Sequence, residues 1–243
     1  MKIIKLDAID STNSFLKELA QNSSLENYTI VTAKEQIKGR GQMGAHWVSE
    51  PNKNLLCSVY IAFEEVLIKD KVLINYAVSL AVINTLEKFK VPKLAVKWPN
   101  DILSSNQKIC GVLVENVMQG KKVKSTIIGV GVNVNQEVFP SQLKNVTSIK
   151  NEMKLNVDID DLLLKFVEEL KTTISFVAKS NANYLKKDYL KRLYKQNIPS
   201  MFKDSKDVLF MGKIIGVSSQ GKLQIELVDE SIQEFGIKEV SFV

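Results

Sequence analysis

Lys34–Trp47 reads KEQIKGRGQMGAHW, a glycine-dense, mostly polar segment set between two apolar runs with strand character. Gly39, Gly41 and Gly44 free the backbone to take positive φ and to approach a ligand closely, while Arg40 supplies a cation and Trp47 a flat aromatic wall. That combination suits a small anionic ligand that carries a ring. A mobile surface loop has the same composition, so the segment gains weight only beside three others downstream.

Outward from this loop, Tyr28 to Ala33 reads as the strand entering it and Asn54 to Phe63 as the strand leaving it. Upstream, Lys2 to Ile9 is a short first strand. Ser11, Thr12 and Asn13 then offer three N-cap candidates for a helix whose apolar face carries Phe15, Leu16, Leu19 and Ala20. Capping alone explains them. A helix N-terminus beside short polar side chains could also hydrogen-bond a compact polar ring, but on the sequence alone capping is the preferred reading. Downstream, Asp70 to Phe89 is a long helix with Val72, Leu73, Tyr76, Ala77, Leu80, Ile83 and Leu86 on one core-facing stripe, and Pro92 stops it before a strand resumes at Leu94.

KWPNDI, Lys97 to Ile102, is the second informative stretch: Pro99 biases Trp98 towards extended backbone, so the strand turns near Asn100 and Asp101. KICGVLVENV, Lys108 to Val117, and STIIGVGVNV, Ser125 to Val134, form a β-hairpin about Gly120. Gly111, Gly129 and Gly131 leave out side chains where strands favour bulk, which marks bulges or a close approach to the backbone. A helix from about Asp160 to Lys179 and a shorter basic one from about Ala182 to Lys195 follow. From Gln196 the helical period disappears. Val208 to Val217, Gly221 to Val228 and Ile232 to Phe242 read as a small all-β module, dividing the chain at 1–195 and 196–243.

At 243 residues and 45% apolar content the chain can bury a full core. No apolar run reaches the roughly 20 residues needed to span a bilayer, and the N-terminus lacks a secretory apolar segment, so a cytoplasmic protein without membrane association is expected. Two distant cysteines, Cys57 and Cys110, point to small buried apolar roles and no metal site. The net charge of +6 comes from scattered lysines, without helix-turn-helix, zinc-finger or RNA-binding patterns, and no GxxxxGK[ST] phosphate loop is present.

Taken together, Ser11-Thr12-Asn13, Gln36 with Gly39-Arg40-Gly41 and Trp47, Lys97-Trp98-Pro99-Asn100-Asp101, Lys108 to Glu115 and Gly129-Val130-Gly131-Val132-Asn133 resemble the catalytic core of the biotin protein ligases. The tail MGKIIGVSSQGKLQIEL looks like that family's SH3-like C-terminal module. The resemblance implies an α+β fold, a mixed and largely antiparallel sheet flanked by helices, related to class II synthetases and lipoate ligases. It also implies a two-step reaction. Biotin attacks the α-phosphate of Mg-ATP to give biotinyl-5′-AMP, and a lysine of a biotin carboxyl carrier domain, from acetyl-CoA carboxylase or a related carboxylase, then takes the acyl group.

Carried over residue by residue, the resemblance gives Lys108, Arg40 and Asp101 as catalytic candidates. Ser11, Thr12, Asn13, Gln36, Gly39, Arg40, Gly41, Gln42, Lys108 and Gly111 would hold biotin, and Arg40, Trp47, Asn100, Lys108, Gly131 and Asn133 the adenylate. The family's loop is commonly GRGRxxRxW. Gln42 and Ala45 stand here where arginines are often found, which would weaken electrostatic retention of the adenylate unless His46, Lys34 or Lys38 compensates. His46, the single histidine, reads as a loop side chain. With the first strand beginning at Lys2 there is no room for the winged-helix domain of some relatives, so a ligase without specific DNA binding is expected. A homodimer formed through sheet edges is compatible with the resemblance. A lipoate or octanoate ligase and a non-catalytic binder are the competing readings.

Overall fold

Strand β1 (Lys2–Ile9) runs parallel to β2 (Thr29–Gln36), an arrangement that needs a crossover, and helix α1 (Thr12–Asn22) supplies it. The computed structural model describes residues 1–178 and 182–243. Strand β3 (Asn54–Ala62) returns antiparallel to β2, and helix α2 (Val72–Lys88) leads to β4 (Leu94–Lys97), β5 (Asp101–Ser104), β6 (Gln107–Gln119) and β7 (Lys122–Asn133). The seven strands lie in the order β1-β2-β3-β7-β6-β5-β4, every pair antiparallel except the first. The expected mixed, largely antiparallel sheet is what forms.

Alternation along β7 separates the sheet's two faces. Ile128, Val130 and Val132 enter the main core. Ile127 joins Leu16 and Val31 in a smaller cluster under α1, so Gly129, Gly131 and Asn133 share the α1 face. The main-core face carries α2, α4 (Ile159–Ala178) and α5 (Ala182–Lys191). Sandwiched between the sheet and these two helices, α2 is buried almost all round, including Ile74, Val78 and Val82, which lie off the expected single stripe. The stripe expected on α4 is buried as read. Lys179, placed at its end from sequence, lies outside the described residues.

The second sheet comprises β8 (Pro199–Asp204), β9 (Leu209–Val217), β10 (Leu223–Leu227), β11 (Ile232–Phe235) and β12 (Val240–Phe242), antiparallel in the order β11-β10-β9-β8-β12. Strand β8 and the five-residue helix α3 (Ile149–Met153) were not legible in the sequence, and α5 ends four residues before Lys195. Too few residues in α3, and a Pro, a Lys and an Asp within β8, mask their periods. Phe202, Phe210, Phe235 and Phe242 pack ring against ring on the inner side of this sheet, which lies over the part of the α1 face that α1 leaves uncovered.

Candidate functional site

A cavity of about 440 Å³ opens on the α1 face between the glycine-rich loop, strands β5–β7 and the C-terminal sheet. Its size falls within the roughly 300–1,000 Å³ of small-molecule sites. The three strand glycines shape its floor. A Cβ on Gly131 would stand 2.6 Å from Trp47 Cε2, and one on Gly111 would stand 2.9 Å from Trp47 Cζ3, so the indole lies on bare backbone. A Cβ on Gly129 would press into the Asn13 amide, 2.9 Å from its Cγ.

One end of the cavity is a buried polar cluster. Ser11 caps α1, its hydroxyl accepting from Ser14 N, and places Thr12 and Asn13 in the helix's first turn. Thr12 donates from both N (2.8 Å) and Oγ1 (3.0 Å) to Gln36 Oε1. The Ser58 hydroxyl lies within bonding distance of Thr12 Oγ1 and Asn13 Oδ1, and Asn13 Nδ2 donates 3.0 Å to Glu115 Oε2. Thr12, Asn13 and Ser58 are each no more than 3% exposed. Acceptor oxygens outnumber protons to fill them, because the single Ser58 proton faces two acceptors.

The middle of the cavity carries the charges. Between Ile102 and Leu103 the pairing of β5 with β6 shifts register, and Ile109 and Cys110 are both buried. This bulge turns Lys108 onto the same face as Gly111, whose Cβ would meet Lys108 Cε at 3.5 Å. Lys108 Nζ sits 2.6 Å from Asp101 Oδ1 and 5.5 Å from the centroid of the Trp47 ring. Its backbone is held from the other side by Asn145 O (2.7 Å) and Thr147 N (2.9 Å). Arg40 spans outward to Glu115 with a forked pair at 3.0 and 3.3 Å, and also donates to Ser14 Oγ.

The loop itself is a small hairpin closed by Trp47 N to Gly39 O (2.9 Å) and Gly41 N to Ala45 O (2.7 Å). Of its three glycines only Gly44 takes positive φ. Gly39 and Gly41 serve instead to let Trp47 and Ala45 approach.

Ser11, Thr12, Asn13, Gln36, Arg40, Gly41, Gln42, Trp47, Asn100, Asp101, Lys108, Gly111 and Gly131 all line the cavity. Gly39 and Asn133 stand behind it. Gly39 packs against the Trp47 backbone, and Asn133 is 2% exposed and donates to Thr147 O at 3.0 Å. Asn100 commits its amide to Val112 O, so it pins the Trp98–Asn100 turn, which contains a cis Trp98–Pro99 bond, onto β6. Asp101 anchors Lys108 directly. Sequence reasoning assigned no role to Glu115, Ser58 or Lys97, and none to Lys238, Phe242 or their neighbours in the C-terminal wall. Glu115 was within reach, since it lies four residues beyond Gly111 on one strand and hence on one face. Nothing local foretells Lys238, which is 195 residues from its partner Met43.

Cations, amide and hydroxyl donors and an indole surround one ligand-sized hollow on an α+β fold with an appended antiparallel module, a site suited to a small anionic ligand that carries a ring. The model of the biotin/lipoate A/B protein ligase family matches residues 6–133, and the chain belongs to that family. Relatives within it include proteins named as biotin ligases. The bifunctional ligase/repressor BirA of Bacillus spizizenii is 31% identical over 92% of this chain and 69% of its own length. The biotin–[acetyl-CoA-carboxylase] ligase of Paracoccus denitrificans is 33% identical over 51% of each. A biotin protein ligase from Aquifex aeolicus in complex with biotin and ATP superposes with a TM-score of 0.80 at 25% identity, over 100% of this chain and 98% of that one.

Proposed function

We propose that this protein activates biotin with ATP as biotinyl-5′-AMP and transfers the acyl group to a lysine of a carboxylase's biotin carrier domain. The observation that carries this reading is the convergence of Lys108 and Arg40 on a hollow that ends in an acceptor-rich polar cluster. Biotin's ureido ring brings N–H donors and a carbonyl acceptor to the polar groups of Gln36, Thr12, Asn13 and Ser58, whereas the dithiolane end of lipoate and the alkyl end of octanoate have no hydrogen-bond donor to offer them.

With its head there, the carboxylate reaches towards the Lys108–Asp101 pair and meets the α-phosphate. Two unit negative charges at 4 Å repel by about 4 kcal/mol at an effective dielectric of about 20, and Lys108 and Arg40 offset that repulsion as the new P–O bond forms and pyrophosphate leaves. Trp47 covers the glycine floor, and its Nε1, buried without a partner among the described residues, is a donor for the adenylate. Asn133 sits behind this floor with Oδ1 likewise unpartnered. The magnesium ion arrives with ATP as part of the substrate. Asp101 is the one carboxylate among the described residues that line the cavity, and it is engaged by Lys108.

In the second step the acceptor lysine must lose a proton before attack. A free amine has a pKa near 10.4, so about one in a few thousand is neutral at pH 7. The Asp101 oxygen not bonded to Lys108, or the departing phosphate, would orient that amine and take its proton as the C–N bond forms and the acyl–phosphate bond breaks to release AMP. Incubation with biotin, Mg-ATP and a carboxylase carrier domain, read by intact mass, tests the whole reading. A gain of one biotin on one lysine is expected, and preferential transfer of lipoate or octanoate when both acids are offered would overturn it.

A further inference from the structure

Glu115 stands outside the lining of the cavity, yet its carboxylate gathers groups from two of the elements that build the polar end. Its Oε2 accepts from Asn13 Nδ2 at 3.0 Å and from Arg40 Nη1 at 3.3 Å. Its Oε1 accepts from Arg40 Nη2 at 3.0 Å and lies 3.9 Å from Lys17 Nζ. Asn13 and Lys17, four residues apart, share one face of α1, whereas Arg40 arrives from the glycine-rich loop and also donates to Ser14 Oγ at 3.2 Å. A single side chain on β6 thus fastens the first turn of α1 to the loop, and only 22% of it is exposed.

A carboxylate only accepts hydrogen bonds, so the Asn13 atom that meets it must be the NH2 group. The amide oxygen is thereby turned the other way, onto the Ser58 hydroxyl and the cavity that Asn13 lines. From there the polarity of the cluster is determined. Thr12 Oγ1 commits its proton to Gln36 Oε1, and Ser58 has one proton for Thr12 Oγ1 and Asn13 Oδ1 together. One acceptor therefore stays open for an N–H of a ligand. Were the Asn13 amide reversed, its NH2 would donate to Ser58, the Ser58 proton would pass to Thr12, and that open acceptor would be gone. We infer that Glu115 is a positioning residue that sets the ligand specificity of this end. It holds Asn13 with the oxygen inward, so that the pocket demands an N–H from the ring it binds. The assignment rests on the ligase reading above and adds to it the group that selects a ureido ring over a ring of the same shape with one donor fewer.

The test offers the full chain biotin and its two cyclic-carbamate isomers, in each of which an ether oxygen replaces one ring N–H, and reads exchange of labelled pyrophosphate into ATP. The first variant is Glu115→Gln, nearly isosteric, uncharged and able to donate. The second combines Asn13→Asp with Glu115→Gln, so that the new amide donates to the new carboxylate and an oxygen faces Ser58 again. Glu115→Gln is expected to raise the KM for biotin about ten-fold, the scale of one charge-assisted bond, with the KM for ATP near the parent value. Its preference for biotin over one of the two isomers falls about ten-fold, and the double variant regains most of that preference. A purely structural role for Glu115 would weaken biotin and both isomers alike. An unaltered preference in Glu115→Gln therefore overturns the assignment, as does a double variant that discriminates no better than the single one. Circular dichroism reports the fold. If Glu115→Gln alone fails to fold, parent-like preference in the double variant supports the assignment, and loss of that preference, or of the fold in both, overturns it. Absence of exchange in the parent protein overturns the ligase reading and this one with it, whereas exchange in the parent with equal use of biotin and both isomers overturns this one alone.

Discussion

Gly129→Ala puts one methyl group where the Asn13 amide now rests. The added Cβ would meet Asn13 Oδ1 inside van der Waals contact, with Cγ at 2.9 Å and Nδ2 at 3.1 Å. Asn13 is 3% exposed and anchored at both ends of its amide, to Ser58 and to Glu115, so it yields only by giving up those bonds. Losing the bond to the Glu115 carboxylate costs about 1.5–3 kcal/mol and the bond from Ser58 about 0.5–1.5 kcal/mol. Ser58 recovers part of this through Thr12 Oγ1, 2.7 Å away. Backbone conformation does not oppose the change, because Gly129 has no positive φ, and alanine returns about 0.4–1 kcal/mol by restricting the unfolded chain. The net loss is about 2–3 kcal/mol, or about 5–10 °C in Tm for a chain of this length.

Thermal melting by circular dichroism reads the stability, and biotin-dependent exchange of labelled pyrophosphate into ATP reads the KM for biotin, which should rise while that for ATP stays near the parent value. Gly131→Ala is the control, since it lifts the Trp47 indole and should raise the ATP KM instead. A Gly129→Ala protein melting within about 1 °C of the parent with unaltered biotin KM would refute the packing of Asn13 against β7 as the basis of the biotin end.

Lys108→Ala should cut adenylate formation by about 10²–10³-fold, the range for removing one preorganised charge-stabilising group, with the fold intact by circular dichroism. Asp101→Asn frees the Lys108 ammonium and removes a carboxylate from the acceptor's path. Slower transfer from preformed biotinyl-5′-AMP is expected, and transfer at the parent rate would remove Asp101 from that step. Burial pushes the Cys57 thiol up to about 12 and holds the Cys110 thiol well above its ordinary value. Both therefore stay protonated at pH 8, since a raised pKa favours the neutral thiol at every pH below it. Iodoacetamide should label neither cysteine in the folded protein and both in denaturant. Amide exchange across Lys38 to Ala45 should slow when biotin and ATP are added, because few apolar groups anchor this hairpin without them.

Much of the site was legible because its parts are local. Ser11 announces a cap, Gly129 and Gly131 sit inside a β-branched run, and Pro99 turns the chain at the cavity edge, each within a window of a few residues. Face alternation then carries Gly111, Leu113 and Glu115 to one side of β6, although the meaning of Glu115 emerges only once Arg40 and Asn13 are seen on its carboxylate. What escaped depends on events between distant segments. The bulge that aims Lys108 arises from a register shift between two strands, which no single strand records. The burial of α2 on all sides depends on α4 and α5 arriving later in the chain.

Placing residues 237–242 in the cavity wall separates the enclosure from the polar floor along the chain. The glycine floor, Arg40, Lys97 and Lys108 all precede Asn133, yet the hollow they surround lacks a side without β12. A variant lacking β12 is therefore expected to keep those groups while opening the hollow to water, read as faster hydrolysis of added biotinyl-5′-AMP.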